Sequence, residues 1–273
     1  MFSGVIKKMI SIHDDPIRYM LDFENDLLFL NQFIGKNINL KKTGYCCLSC
    51  SENIEIFANG FCKKCFFESP MSGDWVMKPE LSKAHLGIED RDLEYEKQIQ
   101  IQDHIVYLSK TSETKVGVTR SNNKTTRWID QGAIEAIELI KVPNRYLAGI
   151  AEVKLKQKFS DKTNWRKMLT SQINDSNLKN DKDEALEFLG KDFKDYFLID
   201  TEVIKFNYRI DNSVDSVSMF VSTDQSSVFV CSFNVGRANE VSSKEDESFE
   251  DEGCPQPNSH TKISAFIPKY YFF

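Results

Sequence analysis

Four cysteines at positions 47, 50, 62 and 65 make the pattern Cys-x2-Cys-x11-Cys-x2-Cys. Each Cys-x2-Cys pair folds into a tight turn that aims two thiolates at one ion. The short loop between the pairs brings them together as a tetrahedral zinc site. Five of the seven cysteines lie within residues 46–65. In an intracellular protein, such clustering points to metal rather than to disulfides. Cys46 competes with Cys47 for the first position, and Cys47 is preferred because it completes an x2 pair. Gly60 supplies a permissive backbone position beside the second pair. Four protein ligands close the site, so Zn2+ is expected to be structural. It would supply folding energy to a segment with little core of its own.

A second set of chemically capable residues lies between His104 and Leu169. Tyr107, Lys115, Arg127 and Glu152 stand among further basic groups, Arg120, Lys124, Arg145, Arg166 and Lys167. Net charge over the whole chain is −6, which argues against a nucleic-acid partner. Its distribution argues the other way. Residues 105–170 carry 13 Lys/Arg against 6 Asp/Glu, whereas residues 171–273 carry 10 against 19. A basic centre between acidic flanks suits DNA or RNA, although ordinary solvated faces also vary in charge. Glu152 and Lys156, four apart, also suit a simple surface bridge. Trp128 and Trp165 read most simply as core or interface anchors.

The elements that must position these residues follow from patterning. His104 to Ser109 alternates and is β-branched, Lys110–Thr114 is a turn, and Lys115 to Thr119 is a second strand. Gly117 inside that strand marks a bulge or a close backbone approach. Thr125 or Thr126 caps a helix that carries Arg127 and Gln131 on one face. Residues 137–142 form a third strand. Pro143 opens the first turn of a following helix. There Tyr146, Ile150 and Val153 line one face, and Arg145, Gly149 and Glu152 another.

This β-β-α-β-α order resembles the GIY-YIG nuclease fold. Val106-Tyr107-Leu108 stands where GIY stands in that family, and Lys115-Val116-Gly117 where YIG stands. Arg127 matches the arginine of the first helix, Glu152 the metal-binding glutamate, and Asn164 a late asparagine. The resemblance implies phosphodiester hydrolysis. Tyr107 would position or activate water, Glu152 would hold one Mg2+ or Mn2+, and Arg127 would stabilise charge on the phosphate. Lys115 replaces the usual tyrosine, as in some short phage-type relatives. Gln131 replaces a histidine or tyrosine and cannot act as a general base. A longer stretch, roughly residues 1–205, resembles an uncharacterised bacterial family of cytosolic proteins through the knuckles, PEL-x2-AH, KVGVTR, RWIDQGA, PNRYLAG and DKTNWRKML.

The expected fold class is therefore α+β. Residues 1–100 form an N-terminal module with zinc knuckles, and 101–172 a GIY-YIG-like domain. Residues 173–236 follow as a helix plus β-rich segment, and 237–273 as a disordered acidic tail. In residues 16–34 helix and strand compete. A helix is expected over 182–197, and strands over 201–210, 214–222 and 226–235. No run reaches the roughly 20 apolar residues of a membrane span, so a cytoplasmic protein is expected. Two other function classes fit the same features: a non-catalytic zinc-containing DNA/RNA-binding module, and a protein–protein adaptor.

Overall fold

The computed structural model describes residues 4–6, 9–23, 26–33, 37–40, 43–161, 175–208, 218–220 and 229–232. Within them the protein is α+β. Three short strands, β1 (Ile10–Ile12), β2 (Arg18–Asp22) and β3 (Leu27–Phe29), pair as an antiparallel meander. Strand therefore wins over helix in residues 16–34, with a 3-10 turn at Leu30–Phe33. Strand β4 (Asn37–Leu40) pairs with a distant strand, Phe229–Ser232, which also pairs with Ser218–Phe220. The knuckle region holds helix α1 (Lys63–Glu68), and two further helices follow, α2 (Asp74–Met77) and α3 (Leu93–Gln100).

The centre is the expected antiparallel hairpin, β5 (His104–Lys110) and β6 (Thr114–Arg120), with Lys110 and Thr114 paired in the strands and a turn of three residues rather than five. Helix α4 (Lys124–Asp130), strand β7 (Glu135–Val142) and helix α5 (Arg145–Leu155) complete a β-β-α-β-α order. Strand β7 pairs with the other edge of β5, so β5 lies between β6 and β7. All seven residues of β5 are buried. Val106 and Leu108 face a core with Leu139, Ala148, Ala151 and Leu155, while Ile105 and Tyr107 face Trp128 and Ile129. Both faces are covered, which is why alternation in this strand is of side, not of polarity.

His104, at the start of β5, is fully buried. Its Nδ1 lies 2.7 Å from the Gln102 carbonyl oxygen, so that nitrogen carries the proton. Burial disfavours the imidazolium, and Arg145 and Arg120 add to this against the Gln102 carbonyl and Asp103. The pKa falls from 6.5 to about 4. The unfolded chain therefore takes up a proton that the fold refuses. Stability should be full above pH 6.5 and fall by on the order of 3 kcal/mol as pH drops towards 4. Urea unfolding of wild type and His104→Gln across that window checks this. Equal slopes in the two proteins would contradict it.

Several boundaries differ from those expected. A 3-10 turn at Ser121–Asn123 runs straight into α4, so the helix starts at Lys124, and neither Thr125 nor Thr126 caps it. Asn144, not Pro143, starts α5: its Oδ1 accepts from Leu147 N at 2.9 Å. The buried residues of α5 are Ala148, Gly149, Ala151, Glu152 and Leu155, whereas Ile150 and Val153 are exposed. Small residues win that interface because another segment lies directly on it. The expected helix over 182–197 is α6 (Leu178–Leu189), ended by Gly190 at φ +67°, with a 3-10 stretch following over Gly190–Tyr196. Of the strand expected over 201–210, Ile204–Lys205 pairs with β7. Among the described residues no helix is long and apolar enough to cross a membrane. The expected acidic tail, Asn164, Trp165, Arg166 and Lys167 lie outside the described residues.

Candidate metal and phosphate sites

The knuckles form a cage. Sγ atoms of Cys47, Cys50, Cys62 and Cys65 all lie within 4.8 Å of one another. A tetrahedral zinc with bonds of about 2.3 Å would hold its sulfurs at roughly 3.8 Å separations, which a cluster of this size can accommodate. Cys46 stands apart, its Sγ lying towards the carbonyls of Cys47 and Ser51. Asn59 and Gly60 both take positive φ at the second turn. A Cβ on Gly60 would lie 2.4 Å from Leu48 Cδ1.

Local electrostatics suit a cation. Burial pushes the Cys47 thiol up, but backbone N–H groups of Cys50, Cys62 and Ser49 outweigh it and bring the pKa down to about 6. The Cys62 N–H to Cys47 Sγ distance is 3.3 Å. Burial, together with hydrogen bonding to Cys62, pushes Cys65 up to about 12. Four crowded thiols cannot all ionise without a positive ion, and a divalent metal removes that conflict.

The second constellation gathers on Tyr107. Its ring is fully buried and crosses Gly117 of the paired strand, where a Cβ would lie 2.6 Å from the phenolic oxygen. Gly117 is thus the close approach its position in the strand suggests. The Trp128 ring meets Tyr107 edge-on, with centroids 5.6 Å apart. The Tyr107 hydroxyl donates to Gln131 Oε1 at 3.0 Å. Gln131 closes α4 in helical conformation and keeps the face it shares with Arg127. Burial pushes the phenol up to about 12, Arg127 opposes that, and Glu152 adds to it. Residues from β5, α4 and α5 therefore act on one hydroxyl.

Glu152 is 9% exposed on α5. Burial raises its pKa, Lys156 opposes this through an ion pair at 3.6 Å, and Glu80 adds to it. The pairing with Lys156 expected at i+4 is present, though on a buried carboxylate. Lys115 is buried on β6 opposite Ser109, where Val116 N donates to the Ser160 carbonyl. Arg120 ends β6 opposite His104.

Two residues expected at a nucleic-acid contact have partners within the protein. Arg145 donates through Nε and Nη2 to the carbonyls of Trp75 and Val76 at 3.2 and 2.7 Å, with its guanidinium 5.7 Å from the Trp75 ring centroid. It clamps α2 to α5, and burial lowers its pKa to about 10. Lys124 is paired with Glu138. Neither partner was legible in the sequence, because spacing does not reveal which acceptor a cation will meet across the fold.

Sequence patterning did not single out Glu80. It lies in the 3-10 turn Pro79–Leu81, and Gly149 of α5 rests on its backbone. The PEL tripeptide and the lone helical glycine were its only signals.

A family model described as a protein of unknown function (DUF2797) matches residues 35–256. No curated protein and no solved structure matches the chain. The chain belongs to the DUF2797 family of proteins of unknown function.

Proposed function

We propose that the protein binds nucleic acid and hydrolyses phosphodiesters at a GIY-YIG-like site, with structural zinc at the four cysteines. What supports the reading is the convergence of Arg127 and Gln131 from α4 and of Glu152 from α5 on the Tyr107 hydroxyl of β5. A phenol held near pKa 12 stays protonated at neutral pH. With its proton on Gln131, the hydroxyl can act towards water only as an acceptor. Tyr107 would therefore orient an attacking water rather than deprotonate it. Arg127 presents a planar fork of donors to phosphate oxygens. Glu152 would hold Mg2+ or Mn2+, which supplies Lewis-acid charge at the phosphorus when bound.

The test uses the zinc-loaded full chain with single- and double-stranded DNA and RNA, plus Mg2+ or Mn2+. Glu152→Ala should lower the cleavage rate by roughly 100-fold or more while salt-sensitive binding persists. Wild-type binding without cleavage would end the nuclease reading. Absence of binding at low salt would end both parts.

One observation favours a second reading, a non-catalytic DNA/RNA-binding module. The partner of Tyr107 is an amide, and an amide cannot accept the proton that water must lose.

A further inference from the structure

The segment just before the central sheet reaches into the Glu152 neighbourhood. The backbone of Pro79 and Glu80 lies directly on Gly149, where a Cβ would stand 2.2 Å from Glu80 N and 2.5 Å from the Pro79 carbonyl carbon. Gly149 and Glu152, three apart, share one face of α5. The Glu80 backbone therefore lies one helical turn from Glu152, and the charge of Glu80 acts on the Glu152 carboxylate.

Three features of this pair do not suit a structural role. Glu80 Oε2 is sealed from solvent and finds no hydrogen-bond donor among the described residues. Glu152 is nine-tenths buried, and its ion pair with Lys156 is long, at 3.6 Å. Lys156 also serves Asp161 at 3.4 Å. Arg145, the other nearby cation, has two of its donors on backbone carbonyls. A buried carboxylate oxygen without a donor costs free energy, and a like charge beside it adds to that cost. A small divalent cation between the two carboxylates removes both penalties, because hard oxygen donors are what Mg2+ and Mn2+ take.

We infer that Glu80 is the second carboxylate ligand of the divalent cation held by Glu152. The inference rests on the cation role of Glu152 in the function proposed above. It makes the cation site a joint product of the central unit and the segment that precedes it. Zinc in the cysteine cage is a separate centre, because soft thiolates and hard carboxylates select different ions.

Mn2+ titration of the zinc-loaded full chain, followed by the electron paramagnetic resonance signal of free Mn2+, tests this without any activity assay. Wild type should bind one Mn2+ per chain. Glu80→Gln and Glu152→Gln should each weaken that binding by about tenfold or more. Melting is measured in parallel without Mn2+. There Glu80→Gln should melt at or above wild type, because it removes a repulsion, and its Mn2+-induced rise should disappear. Wild-type Mn2+ affinity in Glu80→Gln, with loss in Glu152→Gln, would overturn the inference and leave the Glu152 reading standing. A lower melting temperature of Glu80→Gln without Mn2+ marks a structural role and also overturns it. Absence of Mn2+ binding in wild type, or binding unchanged by Glu152→Gln, would remove the cation reading of Glu152 itself and the inference with it.

Discussion

Cys47→Ser is expected to empty the cysteine cage and unfold the knuckle segment, leaving the central sheet folded. The fully buried core of this segment is Cys47, Phe61 and Cys62, with Ile56, Cys65, Phe66 and Met71 packed around it. Two of its three buried members, Cys47 and Cys62, are themselves candidate metal ligands. Apolar burial on this scale cannot offset roughly 1–2 kcal/mol of backbone entropy per ordered residue. Structural zinc typically contributes on the order of 10 kcal/mol, so zinc bound there would decide whether the segment folds. None of the cysteines contributes to the sheet built on β5, and its two hydrophobic clusters are separate from the knuckle core. Elemental analysis should give about one zinc per wild-type chain and close to none for Cys47→Ser. Limited proteolysis should then cut within residues 43–73. A variant that keeps its zinc, or loses it with no new cleavage there, would contradict this account.

Gly149→Ala should destabilise the protein by about 3 kcal/mol, although the same exchange in an ordinary helix interior stabilises by about 1 kcal/mol. Two effects compete. Alanine reduces the conformational freedom of the unfolded chain, which favours the fold. Its methyl would also lie 2.2 Å from a backbone nitrogen, and backbone cannot rotate away as a flexible side chain can. Helix α5 would have to lift off the Pro79–Leu81 turn. That would strain the Arg145 hydrogen bonds to Trp75 and Val76 and the 4.7 Å stack of His85 on Tyr146. The overpacking wins. A melting temperature lower by roughly 10 °C should result. Gly87→Ala is the control, since a Cβ there meets nothing within 4 Å, and its cost is confined to a backbone at φ +72°. An equal or smaller loss in Gly149→Ala would refute the close-packing argument.

Local signals carried the centre of the fold and missed what depends on distance. The hairpin at β5 and β6 was legible because β-branched runs flank a polar turn, and Gly117 because glycine in a strand marks close approach. Cys47, Cys50, Cys62 and Cys65 were legible because ligand spacing is a local property, and they do come together. Two helix starts differed by a residue or two: the 3-10 turn Ser121–Asn123 runs into α4 ahead of both threonines, and Asn144 rather than Pro143 begins α5. Arg145 looked like a free cation because Trp75, its partner, lies some seventy residues earlier in sequence. Glu80 was missed for the same reason. Ile150 and Val153 suggested a buried face that faces solvent instead, because the α5 contact demands small residues, not apolar ones.

The meander of β1, β2 and β3 docks on parts of the chain made much later. Ile17 N donates to the Asn207 carbonyl at 2.9 Å, Asn207 donates to Asp15 across 192 residues of sequence, and Ser11 donates to Asp130. During synthesis these strands emerge early and wait for residue 207 before their surroundings are complete. Contacts of such long range close late and slow the final folding step. Until then Ile17, buried in one cluster with Phe206 in the finished fold, is exposed, and apolar surface of that kind is what chaperones cover and aggregates recruit. A stop codon just before Phe206 would therefore leave the central sheet made but the beginning of the chain without its support.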